Sequence, residues 1–101
     1  MVLLLPRHPA TRVVIDQLAK SGTSVGANLH EAQAAESRAD FIHKLQIALK
    51  EARETRYWLA LIQRAEWITD PLLGRLCQEA LEISAILAKS VLTAKRNSKA
   101  E

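Results

Sequence analysis

Backbone breakers are scarce in this chain. Three glycines and three prolines occur in 101 residues, and Pro6 and Pro9 both fall within the first ten. With β-branched residues thinly clustered and Ala, Leu, Glu, Lys and Arg abundant, the composition predicts an all-α fold. Aromatic residues make up only 4% of the chain, so a core must be built from aliphatic side chains. The single cysteine, Cys77, excludes an internal disulfide and suits a reducing cytoplasm. No stretch approaches the roughly 20 apolar residues of a membrane span. The opening MVLLLPRHPA has no basic start, and its apolar run is shorter than the roughly 7 to 15 residues of a signal core.

The parts of a chemical centre are missing too. There is no glycine-rich phosphate loop, and no nucleophile, base and orienting group can be assembled. A di-metal site in a helical bundle needs Glu-x-x-His on two helices. This chain offers only Asp40-x-x-His43 at a helix start, while His8 and His30 have no companions at ligand spacing. Cys77 falls beside an apolar stripe and reads as a small core residue. The expectation is a protein that is not an enzyme and that holds no metal or cofactor.

What remains is helix. Hydrophobic residues at 49% and charged ones at 25% fit one soluble domain spanning residues 1–101. The first helix is expected over about 10–35, with a stripe of Val14, Leu18, Ser21, Val25, Asn28, Leu29 and Ala32. Gly22 and Gly26 predict a kink or a close helix contact there. Ser37 reads as an N-cap with Asp40 three residues on, opening a second helix over about 38–67. Its stripe is Phe41, Leu45, Ala48, Ala52, Thr55, Leu59 and Ile62, spaced by alternating fours and threes. Thr69-Asp70-Pro71 stops and restarts the chain. A third helix over about 71–95 carries Leu73, Leu76, Cys77, Ala80, Ile83, Leu87 and Val91, leaving a frayed basic tail over 96–101. Short connections between long helices give an antiparallel up-down bundle. Ile47, Trp58 and Leu61 lie away from the main stripe of the second helix, with Tyr57 on its far side, and predict an oligomer interface.

The run S-x-x-V-x-A-N-x-x-E-A and the following D-F-I-x-x-L-x-I-A-L-x-E-A-x-E-T-x-Y-W-L resemble the bacterial four-helix-bundle family. That family includes proteins encoded in intervening sequences of 23S ribosomal RNA genes and the accessory variability protein of diversity-generating retroelements. Ser24, Val25, Ala27, Asn28 and Glu31 carry the first part of the resemblance, and Phe41, Leu45, Ala48, Glu54 and Leu59 the second. Gly26 stands where the family usually has a proline. Leu5-Pro6 comes almost at once, so the resemblance implies that this chain matches the second to fourth family helices. The first would then be absent or reduced to residues 1–5. The resemblance also implies a homo-oligomer, a pentamer in related proteins, with a basic surface for RNA or DNA and a reverse transcriptase as a protein partner.

Two sets of residues are candidates for function. Asn28, with Glu31 and Glu54, forms either a binding site, joined by Arg56, or a polar cluster that sets helix register, completed by Ser21 and Thr55. Lys50, Arg53 and Arg64 share one outward face of the second helix with Gln46 and Tyr57, and Lys89, Lys95, Arg96 and Lys99 make the chain end basic. Such a row suits a phosphate backbone. It equally suits a solvated face, because the net charge is only +3 and Glu51, Glu54 and Glu66 are read on the same helix. Oligomerisation would multiply the field. The function expected is therefore a nucleic-acid-binding accessory factor, with a protein-interaction module acting through an apolar helix face, Trp67 included, as the alternative.

Overall fold

The computed structural model describes residues 9–68 and 70–100. These form three helices: α1 (Pro9–Gln33), α2 (Arg38–Arg64) and α3 (Pro71–Ala100), with no strand among the described residues. The domain is elongated, measuring 52 × 20 × 16 Å. Residues 1–8, which include Leu5-Pro6 and His8, as well as Thr69 and Glu101, lie outside the described part.

Local chemistry sets the helix ends. Ser37 is extended (φ −147°) and its Oγ accepts the Asp40 amide at 3.0 Å, satisfying one of the orphan donors of α2. Asp70 plays the same part for α3, its Oδ1 accepting the Leu72 amide at 2.8 Å, with Pro71 at the first helical position. The far end of α2 departs from the expected one. The helix closes at Arg64, and Glu66 sits beyond it at φ 55°, a left-handed conformation that glycine takes more readily. Glu66 therefore belongs to the turn and does not balance the cations of α2. The end of α3 departs in the other direction. It continues through residues 96–100, where no breaker intervenes and Lys99 lies at the negative end of the helix dipole.

Packing runs through α2, which lies against both α1 and α3. One core cluster joins Ala32 of α1, Leu45, Ala48, Leu49 and Ala52 of α2, and Leu87, Val91 and Ala94 of α3. The other joins Val14 and Leu18 of α1, Leu59 and Ile62 of α2, and Leu73 of α3. The end of α1 thus meets the first half of α2, and the start of α1 meets its second half. Four alanines in the first cluster let the helices approach closely there, whereas larger aliphatic residues fill the second.

The stripes hold with two corrections, at Phe41 and Ile83. Phe41 is 36% exposed, although it continues the α2 stripe. Ile83 is 45% exposed and Ser84 is buried in its stead, its hydroxyl donating to the Ala80 carbonyl at 2.8 Å. The close helix contact expected at Gly22 and Gly26 is not made: a Cβ at either position would meet nothing within 4 Å, and α1 runs through both.

Candidate functional site

The residues grouped around Asn28 do not converge. Asn28 is half-buried, and its Nδ2 donates at 2.8 Å to the Ser24 carbonyl one turn back on α1. Glu31 turns to α2, where its Oε2 lies 2.8 Å from Lys44 Nζ. Hydrogen bonding to Lys44, and then its charge, hold the Glu31 carboxyl below the usual carboxylate range. The same partner raises the Lys44 ammonium. Glu54 stays on α2, its Oε1 accepting a long bond, 3.5 Å, from Trp58 Nε1. Arg56 is exposed. The polar contact between α1 and α2 lies elsewhere, between Ser21 and Thr55. Thr55 Oγ1 donates to Ser21 Oγ at 3.0 Å, with the Glu51 carbonyl at 2.8 Å as its alternative acceptor. Ser21, 1% exposed, donates to the Leu18 carbonyl at 3.2 Å. These are contacts that fix how two helices sit against each other. Sequence reasoning missed Lys44, which carries no signal until α1 and α2 are placed side by side.

The residues proposed as an oligomer interface are partly used within the chain. Trp58, Leu61 and Trp67 pack against the second core cluster. Tyr57 meets Trp58 edge to face at 4.9 Å and is itself 59% exposed. Ile47 is half-buried and belongs to neither cluster.

The basic residues remain at the surface. Lys50, Arg53 and Arg64 on α2 are exposed, as are Lys89, Lys95, Arg96 and Lys99 on α3. Among the described residues, none of the seven has a carboxylate within 4.0 Å; the ion pairs are Arg12–Asp16 and Lys44–Glu31. Gln46 is half-buried beside them. A row of uncommitted cations along one helix, with exposed Tyr57 in its midst, presents a positive face with a ring to stack on.

No group of three or more metal-ligating side chains occurs among the described residues, and His30 and His43 are exposed singly. Cys77 is half-buried against the second cluster, and burial raises its thiol pKa, which disfavours the reactive thiolate. No helix among the described residues is long and apolar enough to cross a membrane.

The described residues thus define a helical protein with three long helices, whose distinctive surface is a row of exposed cations. Residues 3–89 match the family described as 23S rRNA-intervening sequence protein, and the chain belongs to that family. It is also similar to a crystal structure of a protein with unknown function from the S23 ribosomal protein family of Bacteroides thetaiotaomicron. The two share 49% identity over 78% of this chain and 73% of the other, with a TM-score of 0.73. No curated protein matches it.

Proposed function

We propose that this protein is a non-enzymatic, cytoplasmic accessory factor that binds the phosphate backbone of RNA or DNA and acts as a homo-oligomer. The observation that carries the reading is the exposed, unpaired row of Lys50, Arg53 and Arg64. A cation without a protein partner gives up little on meeting a phosphate, and each such contact releases a condensed counterion. Lys95 and Arg96 add two exposed cations on α3, and Tyr57 offers a sequence-tolerant stacking surface. Membership of a family named for ribosomal RNA intervening sequences supports a nucleic acid as the partner. A bundle of the up-down type suits the two core clusters, in which opposite ends of α1 meet opposite halves of α2.

The contacts are to phosphate, so binding is indifferent to base sequence. Reversing Arg53 and Arg64 together to Glu weakens binding to every RNA or duplex tested by roughly tenfold or more, measured by fluorescence anisotropy. Unchanged affinity in that double variant would remove this surface from the account. A second reading, a protein-interaction module, is favoured by one observation: Leu81, Ile83, Ile86 and Leu92 of α3 stand exposed.

A further inference from the structure

Two clefts open beside the start of α2, and Arg38 and Phe41 line both of them. The larger, of about 530 Å³, lies between the first turns of α2 and the last turns of α3, with Leu45, Ile86 and Ala94 as its apolar surface. The smaller, of about 420 Å³, lies against Ala32, Gln33 and Ala35 at the turn from α1. Phe41 is therefore a ring with open space on two sides, 36% exposed although it continues the α2 stripe. The ring contact among the described residues is made elsewhere, by Tyr57 and Trp58.

The α3 wall of the larger cleft is polar and uncommitted. Lys89 is exposed and has no carboxylate within 4.0 Å among the described residues. Ser90 spends its hydroxyl on the Ile86 carbonyl, at 2.8 Å, whereas the side chains of Thr93 and Asn97 make no hydrogen bond. An exposed ring, a free cation and a free amide beside one cleft match the three parts of a nucleotide: an apolar base face, an anionic phosphate and a polar base edge. The cleft suits a hydrocarbon chain less well, because Ile86 is 64% exposed and water still reaches the apolar surface. A base needs only its face covered.

We propose that this cleft takes one unpaired base of a single-stranded nucleic acid, stacked on Phe41, with Lys89 on the adjoining phosphate and Asn97 toward the base edge. The inference rests on the proposed phosphate-backbone binding and adds to it a preference for single strands, since a paired base has no free face to offer. Lys50 stands about 14 Å further along α2 from Phe41, a distance that a strand of a few nucleotides spans.

Fluorescence anisotropy at low salt tests it, with an oligo(dA) strand of about ten nucleotides and an abasic strand of the same length and charge as probes. The wild type binds oligo(dA) about fivefold or more tighter than the abasic strand. Phe41→Leu, which keeps an apolar side chain but removes the ring, erases that preference while leaving affinity for the abasic strand and the helical circular dichroism unchanged. Phe41→Trp retains it. Lys89→Glu weakens both strands alike. A wild type that binds the two strands equally, or a preference that survives Phe41→Leu, overturns the base site and leaves the phosphate contacts standing. Binding of neither strand overturns both.

Discussion

The two sides of α2 are held by different forces. Toward α1 the contact is mixed. Aliphatic packing is supplemented by the Ser21–Thr55 hydrogen bond and by the Glu31–Lys44 ion pair, which sit at separate heights along the helices. Toward α3 it is apolar: among the described residues, the side-chain hydrogen bond and the ion pair that cross between helices both join α1 to α2. Polar contacts work only at one register, so α1 is specified in position. Packing without them tolerates sliding more readily, and α3 also carries the exposed apolar residues that a further neighbour would cover. The difference suggests one side built for register and the other for association.

That contrast can be broken from either side. Leu87→Ala, in the α2–α3 cluster at 6% exposure, removes buried methyl groups and leaves a cavity, costing about 3 kcal/mol in a urea melt. Thr55→Val keeps the shape but removes the donor across α1–α2, costing about 1 kcal/mol, because Ser21 retains its bond to the Leu18 carbonyl. Glu66→Gly relieves the left-handed turn after α2 and raises stability by about 0.5 to 1 kcal/mol without touching either contact.

The smallest effect is that of the ion pair, and its sign with pH is fixed. The Glu31 pKa is lowered in the fold, so its contribution is present above the usual carboxylate range and is lost as acid takes the pH through the folded value. The Lys44 pKa is raised, so its contribution is present below the usual lysine range and is lost as the pH rises through the folded value. Glu31→Gln should therefore flatten the stability profile at the acid side while changing little at neutral pH, because both groups are solvent-accessible.

Local signals were the legible part of the sequence. Ser37 and Asp70-Pro71 act through groups within three residues, so their caps could be read directly. The spacing of Leu45, Ala48, Ala52, Leu59 and Ile62 fixed the buried side of α2. The third-helix stripe places Ile83 inward, yet Ser84 takes the buried position, because a serine that bonds its own helix at Ala80 is buried at little cost. Phe41 was misplaced for another reason, since a position facing inward is buried only where neighbours reach it. The Glu31–Lys44 pair joins residues from different helices and has no local pattern. The basic row was legible as a face, because Lys50, Arg53 and Arg64 follow helical spacing, but whether carboxylates neutralise it depends on the fold.

The most direct test of the central claim is anisotropy of the wild-type chain against a structured RNA at about 50 and 200 mM salt. Three phosphate contacts, one each from Lys50, Arg53 and Arg64, predict that affinity falls by about 40-fold over that range. Absence of binding at the lower salt, or binding that does not change with salt, would contradict a backbone-binding role.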